Sequence, residues 1–390
     1  MIRAQATNKR KYNTMATKPK QPAPVSTNAP VMPNAVTGVI QFEPTAAPLT
    51  KGRALDSKDE AVSYSLRHDD GRIFVYGADD VRNHGEANQV TRLNSLERYT
   101  DSTYVDLVKV LFLHLFAKHR GESSAITPTG VISVPISVYN DAEQTEKIKA
   151  SIAGNWKIED AQGCILRIKI DPAKLGVLPE SVGALQHYAF DHKTLKPRPD
   201  NDASGNVLVV DIGYLTTDMS LHTDAKFLRN RATTEPTIGM QRITQRVQDM
   251  IRDTGRDVDI SQVDAGLRLL SGLDKGSKFA TIGGHRFDVS GVYDPSVTIL
   301  AQQLRDAIMN RYHDAIALVL LTGGGAYHLG RYMTDLLPFP TVTCPDPAVA
   351  NVLGGYTRIA RGAAAKNSTD LLYSLDVGNG TAKGVSSESL

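Results

Sequence analysis

The apolar positions of this chain recur in two patterns, and together they are typical of a protein that alternates strands with helices. Runs of β-branched residues bounded by Asp, Gly or Pro predict strands, and apolar residues three or four positions apart predict amphipathic helices. The predicted strands lie within 38–44, 72–78, 129–139, 163–170, 206–213, 316–326 and 371–386. The predicted helices lie within 104–117, 140–154, 179–190, 240–250, 297–308 and 348–365. This order predicts an α/β fold.

Composition narrows the class of protein. The chain has 390 residues, of which 41% are hydrophobic and 22% charged, which is ordinary for a globular protein with a sizeable core. This length favours two domains or lobes. The two cysteines, Cys164 and Cys344, are far apart in sequence and form no CxxC pair, which excludes a disulfide scaffold and favours a reducing cytoplasm. The sequence has neither an apolar run long enough to span a bilayer nor a secretory signal, so no membrane partner is expected.

The positive charge is concentrated at the N-terminus. Residues 1–42 contain six basic residues, five prolines and no acid, so we predict a disordered basic tail over 1–36. The net charge of the whole chain is +2, and the rest of the chain is therefore mildly acidic. Such a tail either binds DNA, an acidic partner or a neighbouring copy of the chain, or is a solvated extension with no partner. Unchanged assembly and unchanged DNA association at low salt after deletion of residues 1–36 would exclude a binding role for the tail.

Two segments share one design, in which an aspartate ends a predicted buried strand and a Gly-rich turn follows. Residues 211–218 read DIGYLTTD and residues 376–383 read DVGNGTAK. Glycine lets backbone N–H groups point at an anion, and hydroxyls and Lys383 add further donors. The two aspartates would repel a phosphate unless a hydrated Mg²⁺ lay between them and the anion. One such turn alone is usually an ordinary hairpin, but two behind buried strands favour a phosphate site.

Two further motifs have both a functional and a purely structural interpretation. Gly323, Gly324 and Gly325 follow a predicted buried strand, where they either let a ligand lie against the backbone or form a strand-to-helix turn. Glu180 lies in the sequence LPES at the first turn of a predicted helix. There it either compensates the helix dipole or takes part in chemistry.

Taken together, these four motifs resemble those of the actin-like ATPase superfamily, which also includes heat-shock chaperones and sugar kinases. Residues 375–384 look like its first phosphate loop, 209–218 like its second, and 320–326 like its adenosine loop. Residues 351–360 are similar to the helix that follows the adenosine loop. Within the superfamily, the motifs most resemble ParM-type plasmid-segregation proteins of bacteria and archaea. The resemblance covers roughly 38–390 and implies an actin-like fold of two ribonuclease-H-like lobes.

The order of the motifs departs from that family, because the first phosphate loop opens its members but closes this chain. Nothing in residues 1–80 resembles that loop, so we expect a circular permutation. The alternative is that the terminal DVGNGTAKG is a chance hairpin. The predicted organisation after the tail is a first lobe without its first hairpin over 37–205 and a second lobe over 206–345. A return to the first lobe follows over 346–390, with a terminal helix and the permuted hairpin.

The resemblance implies hydrolysis of ATP or GTP between the lobes, with Mg²⁺. Asp211 and Asp376 would hold the hydration shell of the metal, and Glu180 matches the family's water-orienting catalytic position. Tyr214 and Leu215 depart from the small residues usual in the second loop, which puts close backbone contact there in doubt. The residues expected at the phosphates and adenosine are Gly213, Thr216, Thr217, Gly323, Gly324, Gly325, Gly378, Asn379, Gly380, Thr381 and Lys383, with Arg242 flanking the base.

The resemblance further implies a filament-forming ATPase, which assembles with copies of itself and segregates plasmid DNA or organises the cell interior. A DNA-bound adaptor protein would be its second partner. Two other classes share the fold, a small-molecule kinase and a non-hydrolysing ATP-binding scaffold or chaperone. The 111 residues from Asp211 to Thr322 leave little room for the substrate-binding insertion of a kinase. A chaperone of this superfamily would add a β-rich peptide-binding domain, which the sequence lacks.

Overall fold

The computed structural model describes residues 38–42, 44–49, 64–77, 85, 91–92, 99, 101–270, 278–313, 315–378 and 381–390. The predicted basic tail lies outside the described residues, as do Asn379 and Gly380 of the second Asp-x-Gly turn. Among the residues that are described, no helix is both long enough and apolar enough to cross a membrane.

Strands and helices alternate along most of the described chain, as the apolar pattern predicts. The strands are β1 (Ile40–Phe42), β2 (Thr45–Pro48), β3 (Ser65–Arg67), β4 (Ile73–Tyr76), β5 (Thr91–Arg92), β6 (Thr129–Val134), β7 (Gly154–Glu159), β8 (Ile165–Ile170), β9 (Leu175–Pro179), β10 (Asn206–Ile212), β11 (Thr217–Thr223), β12 (Lys226–Glu235), β13 (Phe279–Ile282), β14 (His285–Asp288), β15 (Leu318–Thr322), β16 (Thr341–Thr343), β17 (Leu372–Val377) and β18 (Ala382–Ser386). The helices are α1 (Ser102–Leu115), α2 (Ile136–Asn140), α3 (Ala142–Ile152), α4 (Glu180–Ala189), α5 (Gln241–Asp253), α6 (Ile260–Arg268), α7 (Ser290–Arg311), α8 (Ala326–Leu336) and α9 (Ala350–Ala365).

Two five-stranded mixed sheets organise the chain, with strand orders β1-β18-β17-β6-β9 and β12-β11-β10-β15-β16. In both, neighbours among the first three strands pair antiparallel, and neighbours among the last three pair parallel. In the second sheet, the central strand and its hairpin partner come first in the chain. In the first sheet, the equivalent hairpin β17–β18 comes last. The two sheets therefore share one spatial pattern but differ in the order in which the chain visits it.

Each sheet packs against its own helices. Helix α1, which is apolar almost all round its surface, lies in one core with β6 and β17, and it is buried as predicted. A second core joins the apolar stripes of α5 and α7 to β10, β15 and α8. Smaller sheets of order β3-β4-β2-β5, β7-β8 and β13-β14 complete the described strands.

The structure corrects the prediction of one long strand over 129–139. Strand β6 ends at Val134, and Ile136–Asn140 is the short helix α2. Pro135 explains the change, because it has no N–H to continue the sheet and its φ of −55° suits the start of a helix. Several elements have no counterpart among the predicted ones, because they are short or lie outside the main apolar runs. They are β2, β3, β5, β7, β9, β12, β13, β14, β16, α6 and α8.

Helices α4 and α9 carry the chain between the two sheets and cross at very short range. Helix α4 leads from β9 to β10, and α9 leads from β16 to β17. A Cβ atom on Gly354 would overlap the carbonyl group of Gly183, and a Cβ atom on Gly183 would lie 2.5 Å from the carbonyl oxygen of Asn351. Only glycine therefore allows this backbone-to-backbone contact.

Replacing Gly354 by Ala tests this contact, and Gly362→Ala in the same helix is its matched control. The added methyl of Gly354→Ala must push α4 and α9 apart, so we expect the free energy of unfolding to fall by about 1–3 kcal/mol. Gly362 is exposed and has open space beside it, so its substitution should raise stability by up to about 1 kcal/mol. Denaturant titration measures both variants. Equal effects of the two substitutions would contradict the close crossing.

Candidate functional site

A cavity lies where the central strands of the two five-stranded sheets end. Asp211 is the next-to-last residue of β10 and Asp376 is the next-to-last residue of β17, and both side chains line this cavity. Ligands of α/β proteins commonly bind beyond the carboxyl ends of such strands. The predicted site residues that line the cavity are Glu180, Asp211, Gly213, Thr216, Gly323, Gly324, Gly325, Asp376, Gly378, Thr381 and Lys383.

Two predicted residues lie elsewhere. The side chain of Thr217 is buried, and its hydroxyl donates to the carbonyl oxygen of Ile238 at 2.7 Å. Arg242 lies in α5 beside a separate small pocket, where its guanidinium is 3.4 Å from the side-chain oxygen of Gln303. The structure therefore does not bring Arg242 to the cavity, because the helix turns that side chain toward α7. Among the described residues, the arginine that lines the cavity is Arg268.

The two Asp-x-Gly turns are closed by equivalent backbone hydrogen bonds. The N–H of Gly213 donates to the carbonyl oxygen of Thr216 at 2.9 Å, and the N–H of Gly378 donates to that of Thr381 at 3.0 Å. Both turns thus join antiparallel strands through loops of equal length. The chain has built one turn twice, once at the end of each central strand, and the two copies line the same cavity.

The residues opposite the two aspartates differ in charge and role. Lys383 lies opposite Asp376, and its Nζ is 3.1 Å from the Asp376 carboxylate in a largely buried ion pair. Asp218 lies opposite Asp211, and its carboxylate accepts the backbone N–H of Ile136 at 2.8 Å. Because Ile136 follows β6 of the first sheet, this buried hydrogen bond joins the two sides of the molecule beside the cavity.

The carboxyl group of Asp211 is held in an unfavourable environment for a negative charge. Burial raises the pKa of Asp211 well above its usual range, and the neighbouring carboxylates of Asp218 and Asp376 raise it further. The side-chain amide of Asn351 opposes this by donating to the Asp211 carboxylate at 2.8 Å. A cation placed between Asp211 and Asp376 would stabilise the charged form of both.

The donor set fits a hydrated magnesium ion rather than a metal held by protein ligands alone. Within the described part of the chain, no three His, Cys, Asp or Glu side chains are grouped so that they could hold a metal ion. Mg²⁺ usually keeps several waters and is bound through one or two carboxylates together with substrate phosphates. Asp211 and Asp376 supply that number of carboxylates, and the two turns supply room for phosphates.

Glycine occupies positions 323, 324 and 325 for different structural reasons. Gly323 has φ of +80°, and a Cβ atom there would overlap the Asp211 carboxylate. A Cβ atom on Gly325 would overlap the side chain of Ile212 in β10. Gly324 has no atom within 4 Å of the position of a Cβ, and it lines the cavity. Gly323 and Gly325 are therefore required by packing, whereas Gly324 leaves the cavity wall flat and open.

Several lining residues were not assigned a role from the sequence. They are Pro135, Met240, Thr244, Asp264, Leu267, Arg268, Tyr327, His328, Ala348 and Asn351. Asn351 lies at the start of the helix motif noted above, but nothing local indicates that it bonds to Asp211. The spacing of Asp264 and Arg268, four residues apart, is a helical ion-pair signal that could have drawn attention to α6.

Comparison with known proteins agrees with this architecture. A family model described as "Archaeal actin homologue MreB-like, C-terminal" matches residues 209–335, about a third of the chain. No curated protein matches the sequence. The solved structure of Ta0583, an archaeal actin homologue, has a TM-score of 0.62 and 17% identity, covering 83% of this chain and 92% of that one.

Two further structures add to the comparison. Ta0583 in complex with ADP has a TM-score of 0.59 at 16% identity, covering 84% of this chain and 97% of that one. A subunit of the 15-stranded ParM filament from Clostridium botulinum has a TM-score of 0.61 at 15% identity, covering 82% of this chain and 92% of that one. The chain has an actin-like fold. At these identities the likeness concerns the fold alone, and the α/β, actin-like architecture predicted from the motifs is confirmed.

A buried imidazole beside the cavity makes stability depend on pH. The His328 ring is hydrogen-bonded through Nδ1 to the hydroxyl of Tyr293, and burial lowers the pKa of His328 to about 4. The unfolded chain takes up a proton on this side chain near pH 6.5, whereas the folded chain does so only near pH 4. His328 therefore costs no stability well above pH 6.5, and through this residue the folded chain becomes progressively less stable as the pH falls from 6.5 toward 4.

Replacing His328 by Gln should remove the loss of stability that His328 causes at acidic pH. Relative to the wild type, we expect His328→Gln to gain about 2–3 kcal/mol between pH 6.5 and pH 4. The exposed His313 is the matched control, and His313→Gln should follow the wild-type profile. Urea unfolding at several pH values measures the three proteins. Parallel pH profiles for wild type and His328→Gln would show that the ring is not held neutral.

Proposed function

We propose that the chain is an actin-like ATPase that binds ATP or GTP with Mg²⁺ in the cavity and forms filaments in a nucleotide-dependent way. The observation that carries this proposal is the pair of equivalent Asp-x-Gly turns that line one cavity from two sheets. Proteins that hydrolyse nucleotides mainly position the phosphates and stabilise charge, and both turns have the donors to do so.

In the proposed mechanism, each part of the cavity has one task. Backbone N–H groups of the turns at Gly213 and Gly378 would bind the β- and γ-phosphates, with Lys383 offsetting their charge. Asp211 and Asp376 would hold the water shell of Mg²⁺, whose positive charge would stabilise the negative charge that develops on the phosphate oxygens. Glu180, the first residue of α4, would orient the attacking water and accept its proton.

The proposal of filaments and of a role in plasmid or DNA segregation rests on fold likeness. The ParM protein of Clostridium botulinum forms a 15-stranded filament, and the archaeal Ta0583 binds ADP. The partners we propose are copies of this chain and a DNA-bound adaptor protein. Tyr214 and Leu215 line the cavity beside the turn at Gly213. Their bulk favours, as the second candidate function, an ATP-binding scaffold that does not hydrolyse its nucleotide.

Light scattering and electron microscopy after addition of ATP or GTP with Mg²⁺ test the proposal. We expect the wild type to form filaments. We expect Glu180→Ala to assemble as well, but its rate of phosphate release should fall by about 100-fold or more. Glu143→Ala, an exposed glutamate in α3, is the control and should behave as wild type. Nucleotide binding without assembly in the wild type would favour the scaffold or the kinase. Unchanged hydrolysis by Glu180→Ala would remove Glu180 from the mechanism.

We also propose that the chain is a circular permutation of the usual order of this fold. Strand β1 pairs antiparallel with β18, with Ile40 opposite Gly384. Gly38 lies against the backbone of Ser389 and Leu390, so a direct link between the end of β18 and the start of β1 needs only a short turn. The exposed segment 366–370, between α9 and β17, is where the usual ends would lie.

Restoring the usual order tests the permutation. A chain that runs 368–390, continues through a short Gly-Ser linker and then runs 37–367 keeps both sheets intact. We expect it to unfold cooperatively and to bind the same nucleotide as the wild type. As a control, a chain opened between Tyr214 and Leu215 breaks the other Asp-x-Gly turn and should lose nucleotide binding. A restored chain that does not fold would contradict the proposal.

A further inference from the structure

Arg268 lines the cavity and reaches from the side of the second sheet toward the first. It is the last residue of α6, which packs with the second sheet's core, and one of its terminal nitrogens is 3.4 Å from the hydroxyl of Thr381. Thr381 belongs to the β17–β18 turn of the first sheet, 113 residues away in the chain. Arg268 is therefore a side chain of one half of the molecule that reaches the proposed phosphate turn of the other half.

Asp264 holds the guanidinium of Arg268 in this orientation. The Nε and Nη2 atoms of Arg268 donate to one oxygen of the Asp264 carboxylate, at 3.0 and 2.7 Å. The Asp264 side chain is only 9% exposed, whereas that of Arg268 is 29% exposed. The carboxylate thus lies behind the guanidinium and fixes its plane, and the Nη1 edge faces the cavity and Thr381.

The balance of charge in the cavity indicates what this edge would bind. Among the described residues that line the cavity, the acidic ones are Glu180, Asp211, Asp264 and Asp376, and the basic ones are Arg268 and Lys383. Lys383 approaches from the first sheet and is paired with Asp376. A nucleotide carries several negative charges, and the planar fork of an arginine suits phosphate oxygens, so Arg268 can add positive charge on the side opposite Lys383.

We propose that Arg268 binds the nucleotide phosphates from the side of the second sheet and that Asp264 positions it for this. The proposal rests on the proposed nucleotide-binding function. Because the same guanidinium reaches Thr381, phosphate bound between Arg268 and Thr381 joins the two halves of the molecule. Loss of Arg268 therefore weakens phosphate binding and speeds release of the bound nucleotide.

The test compares a nucleoside diphosphate with its nucleoside. Affinities are measured with Mg²⁺ for ADP or GDP, whichever the wild type binds more tightly, and for adenosine or guanosine by competition at millimolar concentration. The variants are Arg268→Ala, Arg268→Lys and Asp264→Asn. Arg242→Ala is the matched control, since Arg242 lies in the adjacent helix α5 and outside the cavity. Thermal unfolding and circular dichroism of each variant check that it is folded.

We expect Arg268→Ala to weaken diphosphate binding by about 10- to 100-fold, because a hydrogen bond to a charged group contributes about 1.5–3 kcal/mol. Nucleoside binding should change by less than about twofold. The diphosphate affinity of Arg268→Lys should lie between those of the wild type and Arg268→Ala, since lysine keeps the charge but lacks the guanidinium fork. Asp264→Asn should weaken only the diphosphate, and Arg242→Ala should match the wild type. The release rate of a fluorescent diphosphate should rise in parallel with each loss of affinity.

Two results would overturn the inference. Equal weakening of the diphosphate and the nucleoside would assign Arg268 to the base or the sugar. Wild-type affinity for both ligands in a folded Arg268→Ala or Arg268→Lys variant would remove it from the site. In either case the wild type still binds nucleotide and the proposed function stands. A wild type that binds neither ADP nor GDP would instead refute the proposed function, and this inference with it.

Discussion

Helices α4 and α9 touch backbone to backbone because Gly183 and Gly354 face each other, and this contact positions much of the cavity. Both helices carry the chain between the two five-stranded sheets, so their separation determines how the sheets face each other. Helix α4 begins with Glu180, and α9 supplies Asn351, whose amide binds the Asp211 carboxylate. The close crossing of the two helices thus places Glu180 and Asn351, the hydrogen-bond partner of Asp211, beside one cavity.

The cavity concentrates negative charge at a cost in stability. Asp211 is buried near other carboxylates, and a buried charge without a compensating cation is unfavourable. Asn351 and Lys383 offset part of this through a hydrogen bond and an ion pair. The remaining cost is expected at a site that binds a cation and phosphates, because such a site is arranged for charges that arrive with its ligand.

Motifs made of consecutive residues were the part of the site that could be predicted. The turns at Asp211 and Asp376 follow β-branched runs, and the glycines at 323–325 follow another, so sequence pattern alone located three walls of the cavity. The same patterns gave one strand over 129–139, which was wrong because the sheet does not continue through Pro135. They also put Arg242 near the base, whereas the structure places Arg242 beside a separate pocket. Which pocket a helical side chain lines depends on how its helix packs, and no local pattern records that packing.

The sequence by itself determined the strands and helices of the main apolar runs and the turn chemistry, since these depend on neighbouring residues and on burial. Only the tertiary structure decided which residues meet. Asp264 and Arg268 read as one more helical ion pair until α6 is placed across the cavity from Thr381. Likewise, the terminal hairpin takes the central place in the first sheet because β17 pairs with β6 and β18 pairs with β1. Such pairings join residues that are hundreds of positions apart, and no local pattern records them.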